Sequence, residues 1–295
     1  MSQFKYTFII PHKNSPKLLQ RCIDSIPERE NVQLVIVDDN SSKEIVNRQK
    51  FPGLGRKHTE IFFTEEGKGA GYARNVGLTH AQGKWLLFAD ADDYYAPGFL
   101  EVLDKELEDD GEILYFNVFS NSKQSFGRTR ELNEDFEAYA RTLDLNLLKY
   151  KSWAPWNKVI ASDFIRKHHI GFDEIPVGND AMFSLKAASK AQKIKVIQDR
   201  LYCVTFEPQS ITHKPMSYER RFAYTQINIR INKLLKGIGL PAYQAIVTSP
   251  NGIYRIFQEK GWKTTLDYLK YIHREDSISG TLWFWFRKRI LKNFG

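Results

Sequence analysis

The sequence predicts an α/β fold with a mainly parallel sheet, followed by a helical C-terminal part. Short β-rich apolar runs alternate with segments of helical spacing through the first half. Two of those runs stop abruptly at acids, Asp38-Asp39 and Asp90/Asp92/Asp93, and in open α/β sheets the carboxyl ends of strands are where ligands bind. From Ser217 onward helical patterns dominate.

Phe4 to Ile10 is a β-rich run that ends at Pro11. Ser15-Pro16 supplies an N-cap with Pro at the first helical position, and Leu18, Leu19, Cys22, Ile23 and Ile26 follow at helical spacing. Val32 to Val37 is a second buried strand, closed by Asp38-Asp39-Asn40-Ser41-Ser42, and Ile61 to Thr64 is a third. Gly71 to Ala81 predicts a helix, Trp85 to Ala89 a fourth strand, Phe99 to Leu107 a helix and Ile113 to Phe119 a fifth strand. The second half is less regular. Phe136 to Leu148 predicts a helix, Trp153 to Ile160 is rich in aromatics, Asp180 to Ala191 predicts a helix and Ile194 to Phe206 one or two strands. Breaks fall near Gly237–Pro241 and Pro250–Gly252. A boundary near 215–220 divides an α/β domain, 1–215, from a helical extension, 216–295.

The two cysteines, Cys22 and Cys203, lie far apart without ligand spacing, which excludes zinc knuckles, CxxC redox chemistry and a disulfide scaffold and suits a reducing compartment. Met1 to Tyr6 is short and mixed and does not match a secretory signal, and no stretch reaches transmembrane length, so the expectation is cytoplasmic. A formal net charge of +8 favours acidic partners such as nucleotide diphosphates or anionic lipid, but it does not choose among them. Nucleic-acid binding would rest on charge and aromatics alone and is not expected.

In a parallel sheet both acidic strand ends lie along one edge. Asp38 and Asp39 suit hydrogen bonds from a nucleobase or ribose, and Asp90, Asp92 and Asp93 suit a hard cation set against a diphosphate. Each is also the composition of an ordinary turn, or of a cap for the helix that begins near Pro97. Between them runs Gly67-Lys68-Gly69-Ala70-Gly71-Tyr72-Ala73-Arg74-Asn75-Val76-Gly77, a glycine-rich helix start that favours anions, with Arg74 available to a phosphate oxygen. Its spacing is neither the dinucleotide fingerprint nor a P-loop.

Taken in order, these segments resemble family 2 glycosyltransferases with the GT-A (nucleotide-diphospho-sugar transferase) fold, of the bacterial polysaccharide-biosynthesis type. Phe8-Ile9-Ile10-Pro11-His12-Lys13-Asn14 is similar to the family's opening strand, and Val35 to Ser42 to its base-binding turn. Gly71-Tyr72-Ala73-Arg74-Asn75-Val76-Gly77 resembles its Ala-Arg-Asn-x-Gly helix, and Phe88-Ala89-Asp90-Ala91-Asp92-Asp93 its DxD strand end. Trp156-Asn157-Lys158 and Gly178-Asn179-Asp180-Ala181-Met182-Phe183 resemble its later acceptor-side motifs. The resemblance covers about residues 4–212.

It implies a divalent cation, Mn²⁺ or Mg²⁺, with Asp92 as direct ligand and Asp90 as a ribose contact or support for the metal shell. Ala91 lies between them. Asp39 with Asp38 would bind the base, most often uracil. Pro11, Lys13 and Asn14 would line the base pocket, where many relatives carry an aromatic in place of Lys13. Arg74 would lie near the diphosphate and Asp180 would be the general base of an inverting transfer to a saccharide or lipid-linked acceptor. Relatives commonly carry Glu before that Asp, whereas this chain has Asn179. Trp153, Trp156, Asn157, Lys158 and Asn179 are the acceptor-side candidates, with core packing as the alternative for both tryptophans.

Rival readings are a sugar nucleotidyltransferase, which usually places a glycine-rich basic loop where this chain has Pro11-His12-Lys13-Asn14, and a non-catalytic nucleotide- or carbohydrate-binding relative. His168 and His169 are expected at a helix end on the surface, and His213 follows Ser210-Ile211-Thr212 in a loop that the family places near the site. At the C-terminus, Trp283, Phe286, Ile290 and Phe294 share a helical face beside Arg287, Lys288, Arg289 and Lys292. Residues 281–295 thus resemble an interfacial segment for an anionic membrane surface at the inner face of the cell membrane, each cation adding about 1 kcal/mol. Packing on the core or on a dimer partner is the other reading of that segment.

Overall fold

The computed structural model describes residues 4–206, 216–276 and 281. They divide into two compact units, Met1–Ile175 with Asn179–Gln209, and Pro176–Gly178 with Ser210–Gly295.

In the first unit the apolar runs become β1 (Phe4–His12), β2 (Val32–Asp38), β3 (Thr59–Phe63), β4 (Gly83–Phe88), β6 (Ile113–Ser120) and β8 (Ile194–Val204). Two short strands complete them, β5 (Tyr94–Tyr95) and β7 (Lys158–Ala161). Among the described residues they form one sheet in the order β3-β2-β1-β4-β7-β6-β8-β5. β1 pairs in parallel with β2 and β4, β2 with β3, and β6 with β8. β7 runs against both β4 and β6, and β5 runs against β8. The sheet interior is a continuous apolar core in which Phe8, Ile9, Leu87, Phe116 and Val159 are fully buried, which is why these strands read as unbroken apolar runs.

The helices of this unit are α1 (Pro16–Asp24), α2 (Ala70–His80), α3 (Phe99–Glu106), α4 (Lys123–Thr142), α5 (Asn146–Lys151), α6 (Ser162–Lys167) and α7 (Ala181–Lys190). The helix expected over Phe136 to Leu148 is two helices. α4 starts thirteen residues earlier, at Lys123, and stops where Leu143 turns left-handed at φ 56°. Asp144 Oδ1 then accepts from Asn146 N–H at 3.0 Å and starts α5. β8 is a single strand, but between Tyr115↔Val196 and Asn117↔Arg200 its register slips against β6, the bulge that made one strand or two equally readable. α6 and the two-residue β5 carry too little periodicity to be seen in sequence. His168 and His169 follow α6 and are half-buried and exposed.

In the second unit Ser217 Oγ caps α8 (Tyr218–Gly237) and Ser249 Oγ caps α9 (Pro250–Glu275), with Pro250 at the first helical position. Gly261, at φ 74°, kinks α9. Ile229, Val247, Ile256, Tyr268 and Ile272 form this unit's core. Among the described residues no helix is long and apolar enough to cross a membrane. His213 and the basic aromatic stretch 282–295 lie outside the described residues.

Candidate active site

Parallel pairing brings the two acidic strand ends together. His12 registers with Asp38 at the ends of β1 and β2, and Ile9 of β1 with Phe88 of β4, so both acidic turns leave the same edge of the sheet. Because β7 runs backwards, its amino end also opens on that edge, and it delivers residues 153–158 there.

At the first turn the two neighbouring aspartates do different work. Asp38 Oδ2 accepts from His12 Nδ1 at 2.7 Å and from the Ser41 hydroxyl at 2.6 Å, and its Oδ1 accepts from Ser41 N–H at 2.9 Å. Burial pushes the Asp38 carboxyl up, but those bonds from His12 and Ser41 outweigh it and hold it below the usual aspartate value. His12 Nε2 accepts from Ser15 N–H at 3.0 Å, so the ring proton sits on Nδ1 and is donated to Asp38. Asp38 therefore ties the turn together through both of its carboxylate oxygens. Asp39, 3% exposed, accepts at Oδ2 from Gly69 N–H at 2.9 Å and from Lys13 Nζ at 3.4 Å. Its Oδ1 is buried with no hydrogen-bond partner. Gly69 takes φ 94°, a conformation that side chains disfavour and that aims its N–H at Asp39. Two other pocket candidates lie beside this turn. Asn14 ties the turn together, its N–H donating to Ser41 Oγ and its Oδ1 accepting from Ser42 N–H, both at 2.8 Å. Pro11 is buried inside β1, paired with Val37.

The second turn, Asp90-Ala91-Asp92-Asp93, brings carboxylate oxygens of its three aspartates within 4.8 Å of one another. Clustered hard oxygen donors of this kind fit Mg²⁺ or Mn²⁺. Asp93 is committed elsewhere: fully buried, it accepts at Oδ1 from Thr205 N–H at 2.7 Å and so pins the end of β8. The expectation that Asp93 caps the next helix is corrected, since Gly98 occupies the N-cap of α3. The Asp92 carbonyl accepts from the Arg21 guanidinium and from the Thr205 hydroxyl, and Asp90 N–H donates to Tyr202 Oη at 2.9 Å. Arg21, Thr205, Tyr202 and His12 are the site residues that sequence reasoning missed. Arg21 stands beside the buried Cys22 in α1, but nothing in the sequence set it apart from Lys17 on the same helix, and Thr205 and Tyr202 gave no signal.

At this edge α2 packs against the segment that leads into α7. Gly71 permits it, because a Cβ there would lie 2.1 Å from the Asp173 carbonyl oxygen and 2.9 Å from Asn179 Cβ. Asn75 clamps the Phe172 backbone with bonds of 2.8 and 3.0 Å, and Phe172 stacks on Phe183 of α7 with centroids 3.9 Å apart. Arg74, 5% exposed, donates to Asp90 Oδ1 at 2.5 Å and to Asn179 Oδ1 at 2.8 Å. Its guanidinium is thus a bridge between the acid turn and the residue before Asp180, and only its buried Nε has no acceptor. Asn179 Oδ1 serves Arg74. Asp180 is the N-cap of α7 and partly buried. Burial pushes its carboxyl above the usual aspartate value; Arg74 and Lys158 pull the other way and Asp90 adds to the rise.

Of the acceptor-side candidates, Trp153 is half-buried, with Nε1 donating to the Tyr150 carbonyl at 3.0 Å. Trp156 is 7% exposed and stacks on Tyr202 with centroids 5.3 Å apart, so core packing is the reading that holds for it. Asn157 and Lys158, the other two candidates on this segment, are 0% and 1% exposed.

The architecture is that of known glycosyltransferases. The protein superposes on the Staphylococcus aureus TarS 1–349 crystal structure in complex with UDP-GlcNAc at a TM-score of 0.62, with 21% identity, covering 86% of this chain and 73% of that one. A mannosyltransferase from Pyrobaculum calidifontis, in complex with GDP-Man and Mn²⁺, gives 0.54 at 17% identity, covering 98% and 81%. Among curated sequences, the uncharacterized glycosyltransferase EpsJ of Bacillus subtilis is 24% identical over 71% of this chain and 63% of its own length. The minor teichoic acid biosynthesis protein GgaB of the same organism is 30% identical over 68% of this chain, yet the match spans only 23% of GgaB. The chain thus spans less than two thirds of these two relatives. The mixed sheet with both acidic turns on one edge is the GT-A fold. The family model described as Glycosyl transferase family 2 matches residues 7–165, more than half of the sequence, and the chain belongs to that family.

Proposed function

We propose that the protein is an inverting, metal-dependent glycosyltransferase that moves a sugar from a nucleoside diphosphate, with uridine favoured, to a hydroxyl of a saccharide or lipid-linked saccharide. The observation that carries the reading is the Arg74 bridge. One guanidinium joins Asp90 of the acid turn to Asn179 beside Asp180, so a diphosphate held at the first presents its sugar to the second. The TarS complexes with UDP-GlcNAc and with UDP support the donor class.

In this reading Asp39 Oδ1 accepts a hydrogen bond from the base, with Lys13 at the pocket mouth. Asp92 and Asp90 would hold a divalent cation, which would supply positive charge against the departing diphosphate. Arg74, through its unpaired Nε, adds to that stabilisation. Asp180 takes the acceptor's proton as the acceptor oxygen bonds to the anomeric carbon and the bond to the diphosphate oxygen breaks from the opposite face. The base must be a carboxylate to act, and its displaced titration suits a proton acceptor. Residues 1–215 form the catalytic domain, and the extension 216–295 brings its basic aromatic end, 281–295, to an anionic membrane surface.

A screen of nucleotide sugars with Mn²⁺ or Mg²⁺, read as thermal shift and donor hydrolysis, tests the reading. Metal-dependent stabilisation by uridine nucleotides with slow hydrolysis of one UDP-sugar is expected. No response to any nucleotide sugar overturns the reading.

A further inference from the structure

Lys158 is 1% exposed at the head of β7, and the transfer step above gives it no role. Its Nζ donates to the carbonyls of Ser152, at 3.2 Å, and Ala154, and to Asn157 Oδ1 at 3.0 Å. The Tyr115 ring centroid lies 5.2 Å away. An ammonium group carries three donors, and three oxygens meet them, so a charge that is costly to bury is matched at each hydrogen. Burial pulls the group down to about 7, while the Asp180 carboxylate pulls it back up.

The segment it holds is the seat of α7. Successive carbonyls of extended backbone point to opposite sides. Those of Ser152 and Ala154 turn toward Lys158, and that of Trp153 accepts from the Ser184 hydroxyl at 2.5 Å. Ser184 lies in the first turn of α7, and its N–H donates to the Asp180 carbonyl at 3.0 Å. Ser152 Oγ closes the segment on Asn157 Oδ1 at 3.1 Å. An unbroken line of hydrogen bonds therefore runs from the buried ammonium, through residues 152–154, to Ser184 and the backbone of Asp180.

We propose that Lys158 is a positioning residue: by holding the 152 and 154 carbonyls it fixes the Trp153 carbonyl on which Ser184 seats the amino end of α7, and so aims Asp180 at the acceptor. The proposal rests on Asp180 being the base. It accounts for a lysine at this point without any contact with substrate.

The test uses the full chain with Lys158→Met, which keeps the stem and removes the donors, Ser184→Ala, and the double variant. UDP affinity with Mn²⁺ and turnover of the hydrolysed UDP-sugar are measured for each. Each single variant is expected to lower kcat about tenfold or more, with the UDP dissociation constant changed by less than about twofold, and the double variant to be no slower than the worse single, because both act along one path. Effects on kcat that multiply, or UDP affinity that falls in step with kcat, overturn the proposal. If Lys158→Met fails to fold, Ser184→Ala decides alone, and full turnover in it is the overturning result. Asp180→Asn in the same assay separates the two claims. Wild-type turnover there sinks the base assignment, whereas an inactive Asp180→Asn beside fully active Lys158→Met and Ser184→Ala sinks only the positioning role.

Discussion

Asp38 uses both carboxylate oxygens on His12 and Ser41, while its neighbour Asp39 keeps one oxygen buried and unpaired. This division gives opposite expectations for two adjacent residues. Asp39→Ala removes the acceptor and leaves the base donor unmatched, a loss of about 1–3 kcal/mol, or roughly 5- to 150-fold in UDP affinity by calorimetry. His12→Phe strips Asp38 of its Nδ1 partner and leaves a buried carboxylate underbonded, so thermal stability falls together with UDP affinity. Unchanged affinity in Asp39→Ala contradicts its assignment. At Asp180 the raised titration has a definite sign. The carboxyl must lose its proton to act, so the acid limb of kcat/KM lies above the ordinary aspartate value of 3.8. A limb at or below that value contradicts the assignment of Asp180 as the base. The acids themselves were visible in the sequence, but the partners that set their roles were not. His12 and Asp38 are 26 positions apart and Arg74 and Asn179 are 105 apart, and only the fold joins them.

Among the elements, α2 shows how much depends on one missing side chain. Gly71→Ala would set a methyl 2.1 Å from the Asp173 carbonyl oxygen, which is backbone and cannot rotate away. The segment from 173 to 180 must shift, and a destabilisation of about 1–3 kcal/mol is expected in denaturant unfolding, with lower turnover. Wild-type stability and rate together contradict the packing described for α2 against this segment. The parallel strands were legible because apolar runs buried on both faces end at polar turns. The reversed direction of β7 was not, since an apolar pattern reads the same in either direction. That reversal matters, because it puts Lys158 at the site edge. β5 escaped notice because two residues have no period, and the early turns of α4 because its first half is mostly polar.

For the whole molecule, a net charge of +8 and the aromatic basic end predict attraction to acidic lipid. Full-length protein is expected to sediment with anionic liposomes and a chain lacking 281–295 to remain in solution. Equal sedimentation of the two contradicts a docking role for that end. Ligand linkage gives a second expectation at this scale: UDP with Mn²⁺ at 100 times its dissociation constant adds about 2.7 kcal/mol of stability, visible as a raised Tm that chelation reverses. The central claim is transfer with inversion under control of Asp180. It is tested most directly by proton NMR of the sugar released from a UDP-α-sugar by the metal-loaded protein. The account predicts that the β anomer forms first and that Asp180→Asn, still binding UDP, releases none at a measurable rate. Release of the α anomer first, or undiminished release by Asp180→Asn, would contradict it.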